Sequence, residues 1–338
     1  MVTRREVAQL AGVSPTTVSR IINENGYVSE EVRIRVLKAI DELGYVPNRV
    51  ARSLRTQKSK QIACITYGLT NTFYAEIVQG IEEKALESGY TFSIYSSHID
   101  KQQFNQLILG GFYDGLIILT PSEFLESVEF QKIKSFIPIS VYWDLGVEID
   151  VPHIKIDLKT AMEKMINNLV DNGHSRIVYL GSTEDGPGIK EDQRLRGYMK
   201  AIKQRGISLS DDYLLNVPSW EDTAAQGYMK VKELIKKQLP FTAIAACNDL
   251  MAIGAIKALI ESGFQVPKDI SVTGFDNINI ASMLTPALTT ISFPKKEIGR
   301  SLMKLLLRQI NGEEFAGEVI GYTADIIHRE TVRNILVG

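Results

Sequence analysis

The sequence predicts an all-α helix-turn-helix head followed by an α/β body of two doubly wound lobes. Three observations carry this prediction. The first sixty residues read as three short, capped helices. From residue 61 onward, short apolar runs alternate with amphipathic stretches of helical period, the rhythm of parallel sheets covered by helices. Charge divides at the same place. Residues 1–60 hold 11 Lys and Arg against 6 Asp and Glu, an excess of +5, whereas the remainder stands at −7 within an overall −2. A small basic head on an acidic body assigns any polyanion to the head.

The chain of 338 residues is 44% hydrophobic and 23% charged, enough apolar material for two or three domains each with its own core. No uncharged apolar run reaches the roughly 18 residues of a membrane span. The opening MVTRREVAQLAGVS lacks the apolar centre of a secretory signal, so a cytoplasmic protein is expected. Cys64 and Cys247 lie in separate apolar runs and read as reduced, buried residues. His98, His153, His174 and His328 are scattered without metal-ligand spacing, and no cofactor is expected. Nucleophile-elbow, phosphate-loop and zinc-protease motifs are all missing, so the chain is not read as an enzyme.

Within the head, Thr3 to Glu6 has the spacing of a capping box, and Val7, Leu10 and Ala11 are placed on one helical face. Gly12 stops that helix. Ser14 caps a second, with Pro15 at its first position, where a missing N–H costs nothing. Val18, Ile21 and Ile22 form its buried stripe. Ser29 caps a third helix, whose stripe is Val32, Val36, Ile40 and Leu43 and whose stop is Gly44. Two helices around a tight Gly turn, closed by a third, make a helix-turn-helix unit. Its second helix would enter the major groove with Thr16 and Arg20 on one exposed face. Thr16 offers a hydroxyl and Arg20 a bidentate fork for guanine, while Thr17 and Ser19 read as phosphate or capping groups. A plain three-helix bundle is the competing reading.

After Tyr45-Val46-Pro47, Asn48 can cap a short helix on which Val50, Ala51 and Leu54 share a face. Alone in water so short a helix does not persist; paired with its twin on DNA it would order, and Leu54 could wedge into the minor groove. Arg49, Arg52, Arg55, Lys58 and Lys60 supply charge for phosphates. A solvated basic linker is the alternative.

The run EVAQLAGVSPTTVSR, then YVSEE, then ELGYVPNRVARSL resembles, nearly end to end, the head and hinge of the LacI/GalR family of repressors. The resemblance implies a homodimer on near-palindromic double-stranded operator DNA, with base contacts from Pro15, Thr16 and Arg20 and insertion of Leu54. The full set of DNA-contacting positions is Thr3, Ser14, Pro15, Thr16, Thr17, Ser19, Arg20, Asn48, Ala51, Leu54 and Arg55. Pro15 departs from the polar or aromatic residue common there and cannot donate a hydrogen bond. The implied organisation is a DNA-binding domain at 1–46, a hinge at 47–60 and an effector-binding and dimerisation body at 61–338. The body resembles periplasmic binding proteins. Its first lobe would span about 61–157 and 292–320, its second about 158–290 and 321–338, with three crossings between them.

In such sheets, ligands bind beyond the strands' carboxyl ends, here between the lobes. The loop around Asn71 and Phe73 follows the first strand and resembles a family Asn-Pro-Phe loop with Thr72 in place of proline. Phe73 would stack on a sugar. Asp144 matches a polar cleft position, and Arg194, three residues before Gly197, has the spacing of the family's ligand arginine, with Arg196 second. Trp220, Asn248 and Asp276 complete the set. Planar bidentate groups and an aromatic face suit a molecule covered in hydroxyls, and such a site rejects analogues that lack them. Other roles stand beside these: helix caps for Asn248 and Asp276, an ion-pair partner for Arg194, core packing for Phe73 and Trp220.

A short segment before DGLIIL and the stretch STEDGPGIKEDQRLRGY resemble a subgroup linked to β-galactosidase genes, which implies a galactoside effector. The function expected is therefore allosteric repression of a carbohydrate operon by a sugar-responsive cytoplasmic regulator acting on the nucleoid. A regulator answering to a phosphoprotein is the runner-up, and a transporter's solute-binding protein is disfavoured by residues 1–60. Apolar surface on the first body helix and around Met251–Ile260 is the expected dimer contact. The tail VRNILVG lacks the leucine heptads of a tetramerising coiled coil.

Overall fold

The structure is a computed structural model. It describes residues 2–23, 25–46, 58–66, 72–96, 100–119, 128–142, 150–181, 192–208, 210–217, 223–313 and 318–336. The chain divides into two compact units, Met1–Ser59 and Lys60–Gly338.

The first unit contains α1 (Arg4–Ala11), α2 (Pro15–Ile22) and α3 (Glu30–Leu43). The α1 start is a capping box. Thr3 N–H donates to Glu6 Oε2 at 2.6 Å, and Glu6 N–H to Thr3 Oγ1 at 3.4 Å. Gly12, at φ +66, ends α1 in the left-handed conformation that a Cβ disfavours. Ser14 Oγ then accepts the Thr17 N–H at 3.1 Å, and Pro15 opens α2. Ser29 has the extended backbone of a cap, but its side chain makes no capping bond.

The core is Val7, Ala8, Ala11, Val18, Ile21, Val36, Ala39 and Tyr45. Leu10, expected on the buried stripe, is 49% exposed. The reason is geometric: at about 100° per residue, Val7, Ala8 and Ala11 cluster on one side and Leu10 falls roughly a quarter-turn away. Val32, Ile40 and Leu43 are half-buried at the core's margin.

The second unit opens with β1 (Gln61–Thr66), α4 (Thr72–Glu87), β2 (Thr91–Ser96), α5 (Lys101–Leu109), β3 (Gly115–Leu119), α6 (Val128–Phe136), β4 (Ile139–Tyr142) and β5 (His153–Ile156). It continues with α7 (Leu158–Asp171), β6 (Ile177–Gly181), α8 (Gln193–Gln204), β7 (Leu214–Asn216), α9 (Ala224–Lys236), β8 (Ala243–Ala246), α10 (Asp249–Glu261), β9 (Ser271–Asp276) and β10 (Thr289–Ser292). Last come α11 (Lys295–Ile310), β11 (Val319–Tyr322) and β12 (Asp325–Ile327).

Two six-stranded sheets result among the described residues, ordered β2-β1-β3-β4-β5-β11 and β7-β6-β8-β9-β10-β12. GLIIL of β3 and IVYLG of β6 are buried at every position, as strands covered on both faces must be. All pairings are parallel except β12, which runs antiparallel to β10 as an edge strand. In each sheet the order reverses beside the first strand, at β1/β3 and at β6/β8. These are the switch points where doubly wound folds open a crevice.

The chain passes between lobes three times. After β5 it enters α7, which packs on α8 of the second lobe. After β10 it enters α11, which packs on α4 of the first. After β11 it joins the second sheet as β12. β10 stays in the second sheet through Ser292 and β11 in the first through Tyr322, so the last two crossings fall at least one and two residues beyond the implied bounds of 292 and 320. Helices α4 and α11 approach backbone to backbone. A Cβ on Gly80 would lie 2.0 Å from Lys296 O, and one on Gly299 would lie 2.0 Å from Ile77 O. No helix among the described residues is long and apolar enough to cross a membrane.

Candidate functional site

On α2, Thr16 and Arg20 are both exposed, one turn apart on the face opposite the buried Val18 and Ile21. Their neighbours are occupied in holding the helix. Thr17 Oγ1 lies 2.9 Å from Ser14 Oγ, and Asn23 Nδ2 donates to Ser19 O at 2.6 Å and Ser19 Oγ at 3.2 Å. Thr3 is likewise committed to Glu6, through its hydroxyl at 2.8 Å. Pro15 occupies the first position of α2. The helix therefore presents a short hydroxyl and a long cation on a rigid frame, with anchoring groups on either side. Asn48, Ala51, Leu54 and Arg55 lie outside the described residues.

In the body, Arg194 stands at the start of α8, just beyond β6. Its Nε and Nη2 donate to Asp192 Oδ1 and Oδ2 at 3.0 and 2.8 Å, a bidentate pair. Its Nη1 donates at 2.9 Å to the carbonyl of Cys247, the residue that follows β8. The guanidinium thus spans the β6/β8 switch point of the second sheet. Burial works against its charge, but Asp192 more than compensates and holds it protonated. A guanidinium has five N–H groups, and three are engaged. The other two find no acceptor among the described residues. Arg196, by contrast, lines a surface groove with Lys159, Lys200 and Lys203, away from the strand ends.

Around this arginine an aromatic row runs from lobe to lobe. The guanidinium carbon lies 6.0 Å from the Phe275 ring centre. Phe275 is 5.4 Å from Phe293, which is 6.3 Å from Phe73. Phe73 also meets Tyr74 and Tyr142 edge-on, at 5.2 and 6.2 Å. Its ring is 6% exposed, so Phe73 is packed in the first-lobe core rather than presented as a stacking platform. Asn248 caps α10, accepting the Met251 N–H at 2.8 Å, which is the structural role the sequence left open for it. Asp276 ends β9 at φ +119, and the next residue, Asn277, follows at φ +52. Asparagine tolerates that region; for aspartate the strain is on the order of 1–3 kcal/mol. Asn71, Asp144 and Trp220 lie outside the described residues.

Residues 3–48 match the model of bacterial regulatory proteins of the lacI family, and residues 166–332 match that of the periplasmic binding protein-like domain. The repressor PurR of Vibrio vulnificus is 30% identical over 99% of this chain and 100% of its own. The chain belongs to the LacI family. Also similar is the ribose operon repressor of Escherichia coli K12, 33% identical over 92% of this chain and 93% of its own. A lac repressor dimer bound to operator and the anti-inducer ONPF superposes with a TM-score of 0.83 at 27% identity, covering 98% of this chain and 99% of that one. Membership makes the chain a DNA-binding transcriptional repressor with a helix-turn-helix head and a ligand-binding body, and these relatives are regulators rather than enzymes.

Three groups escaped the sequence reading of this LacI-family protein. Asp249, the first residue of α10, is buried. Its carboxylate accepts the Thr290 hydroxyl at 2.5 Å and the Ile278 N–H at 2.7 Å, fixing the segment after Asp276. Burial pushes its carboxyl above the usual range, while those two donors, Lys295 and Arg329 draw it back. Arg329 donates to Asn277 Oδ1 at 2.6 Å and Leu288 O at 2.7 Å. The third, Tyr179 on β6, is fully buried with its hydroxyl lacking a hydrogen-bond partner. Burial and the negative charge of Asp192 hold that phenol far above its ordinary pKa. The Arg194-to-Gly197 spacing located one member of this constellation. Asp249 and Tyr179 are buried at a helix start and in a strand, and Arg329 follows the last strand, where nothing local distinguishes a network from ordinary packing.

Proposed function

We propose that this regulator represses a carbohydrate-utilisation operon as a homodimer on a near-palindromic operator, with a small sugar between the lobes setting operator affinity. The observation that carries this reading is the Arg194 guanidinium. It is planar, held on two sides by Asp192 and Cys247, placed at a switch point, and left with two donors. Paired hydroxyls are natural acceptors for such a fork, and Asp276 close by offers a carboxylate, while the buried Phe275 backs the guanidinium. A relative named for the ribose operon and a structural neighbour holding operator and an anti-inducer support the same reading. A galactoside is the first candidate effector, and a β-galactosidase gene the first candidate target. Asn71, Asp144 and Trp220 are proposed as further sugar contacts, and Phe73 and Asn248 as groups that shape the site's walls.

On the DNA side, Thr16 and Arg20 would read base edges in the major groove. Thr3, Ser14, Thr17 and Ser19 would position the helix, with Pro15 packed over a base. Asn48, Ala51, Leu54 and Arg55 would form the hinge that folds on the operator as a pair. Effector binding would change the angle between lobes and hence the separation of the two hinges. Such a protein would work on the bacterial chromosome in the cytoplasm.

The test is an anisotropy titration of the full chain against a labelled duplex from its own upstream region, with and without mono- and disaccharides, galactosides first. A tenfold or greater shift, about 1.4 kcal/mol of coupling, is expected for one of them. Arg194→Met should bind the duplex yet ignore that sugar. If no sugar moves the affinity, the effector reading is wrong.

A further inference from the structure

The only lysine among the described residues that is buried lies at a crossing between the lobes. Lys295 opens α11, and its side chain is 3% exposed. Lysine is almost never buried unless paired. Here the pairing is complete. Nζ donates to Asp276 O at 2.7 Å and Asn277 O at 2.8 Å, and lies 3.3 Å from Glu76 Oε1. The two carbonyls take two of the ammonium's three hydrogens, and Glu76 supplies the opposite charge as an ion pair rather than a hydrogen bond.

The three partners belong to different bodies. Glu76 is on α4 and Lys295 on α11, both packed in the first lobe, and the Gly80 and Gly299 contacts bring those helices close enough for the two side chains to meet. Asp276 and Asn277 end β9 of the second sheet. Two successive non-glycine residues with positive φ turn both carbonyls toward the same ammonium. The turn is secured from its own lobe as well. Asn277 Oδ1 accepts from Arg329, Asn277 Nδ2 donates to Ser292 Oγ at 3.1 Å, and Asp249 holds the Ile278 N–H. The turn is therefore a stiff piece of the second lobe gripped by a charge from the first.

We propose that Lys295 is an inter-lobe clamp: a positioning residue that makes the angle between the lobes and the shape of the Asp276–Asn277 turn change together. Its regulatory consequence rests on the reading of Asp276 as an effector-side residue. A sugar that draws on the Asp276 carboxylate also tilts the adjacent carbonyls, and Lys295 passes that tilt to α11 and α4. A lobe rotation imposed by DNA would reach the turn by the same two hydrogen bonds and ion pair. Without the ammonium, two carbonyls and Glu76 lose their common partner, while the ring contacts of Phe275, Phe293 and Phe73 remain.

The experiment is a spin-label distance measurement on the full chain, with labels on cysteines introduced by Lys132→Cys in the first lobe and Lys237→Cys in the second. Both sites are exposed, and native Cys64 and Cys247 are buried. Neither sugar nor DNA is present. The parent should give one narrow distribution and Lys295→Met one roughly twofold broader, as a hinge freed of its clamp explores more angles. Lys296→Met, which removes an exposed neighbour paired with Glu83, should match the parent. Lys295→Gln keeps a donor but cannot serve both carbonyls and Glu76, so it should broaden the distribution too and serves where the methionine variant does not fold. Folded Lys295 variants that superimpose on the parent, or equal broadening from Lys296→Met, overturn the clamp. Because this arm contains no effector, its failure leaves the sugar reading standing, and a sugar screen that fails leaves the clamp standing.

Discussion

Arg194 carries two roles that one substitution can separate. Arg194→Met strips Asp192, whose side chain is 7% exposed, of its counter-ion and two hydrogen bonds, and strips Cys247 O of a third. Breaking a fully buried pair from one side costs about 3–5 kcal/mol. Two features lower that figure here. The guanidinium is 22% exposed, so solvent screens part of the pair, and Asp192 keeps the Arg194 backbone N–H at 2.8 Å. A loss of about 2–3 kcal/mol remains, equivalent to a melting temperature lower by roughly 4–10 °C for a body of this size. Asp192→Leu/Arg194→Met removes both charges and should recover at least half of the loss, because no carboxylate is left buried alone. Arg194→Lys should fall between, since an ammonium cannot form the two parallel bonds. The assay is thermal unfolding of the full chain, with hydrogen exchange at β6 and β8 amides to localise the effect. A single variant melting within about 1 °C of the parent, or a double variant less stable than the single, would refute the argument that this ion pair holds the switch point together.

Further outcomes follow from the same geometry. Arg20→Met should cost about 1–3 kcal/mol of discrimination between operator and unrelated duplex while leaving the weak, salt-sensitive background nearly unchanged; competition titrations at fixed salt measure it. Thr3→Ala should cost the head about 1 kcal/mol. Hydrogen bonds from Thr3 hold the Glu6 carboxyl below its ordinary value, so this support is present at neutral pH and is lost as pH falls through the lowered value. Circular-dichroism melts of parent and variant should therefore draw closer in acid without meeting, because the Glu6 N–H to Thr3 Oγ1 bond does not titrate and the residue 3 N–H holds Glu6 in both. His174 is buried between Thr242 Oγ1 at 3.0 Å and Arg333 O at 3.1 Å, and burial pulls its pKa below the usual 6.5. The neutral ring stabilises the fold above that value and the benefit disappears on acidification, so parent body melting should drop below pH 6.5 more steeply than in His174→Gln.

What was legible in the sequence was what is written locally. Thr3 with Glu6, Gly12, and Ser14 with Pro15 are caps and stops whose chemistry acts within four residues, and the head followed from them. Runs such as GLIIL and IVYLG announce buried strands because parallel strands are apolar on both faces. The exposure of Leu10 shows the limit, since an eight-residue helix admits more than one apolar stripe and the partner helix decides between them. The crossings came from family likeness alone; nothing in Ser292 or Tyr322 says which sheet it joins. At the site, Arg194 was found by its distance from Gly197. Cys247 and Phe275 were not, because the fold of the second sheet brings them to Arg194 from more than fifty residues away; Asp192 is only two residues off, but nothing local marks it as a buried counter-ion. Lys295 reads in sequence as an ordinary helix-opening lysine, and only the packing of α4 on α11 makes it a buried charge.

The polar groups at the second-lobe switch point are not all at rest. Among the described residues, the buried Tyr179 phenol has no hydrogen-bond partner, a cost on the order of 1–3 kcal/mol, and two hydrogens of the part-exposed Arg194 guanidinium meet no protein acceptor. A fold selected for stability alone would have met that cost with phenylalanine and a shorter cation. Asp192 and the Cys247 carbonyl make the opposite investment, fixing the guanidinium plane before anything arrives. Fixed donors with unmet capacity favour an occupant rich in acceptors over an apolar one, because only the former satisfies them without rearranging the ion pair. Under the proposed sugar reading, the stability forgone at these groups would become part of the free energy of binding. The lobes, joined at Lys295 and along the Phe275, Phe293 and Phe73 row, are where that free energy can be turned into a change of angle.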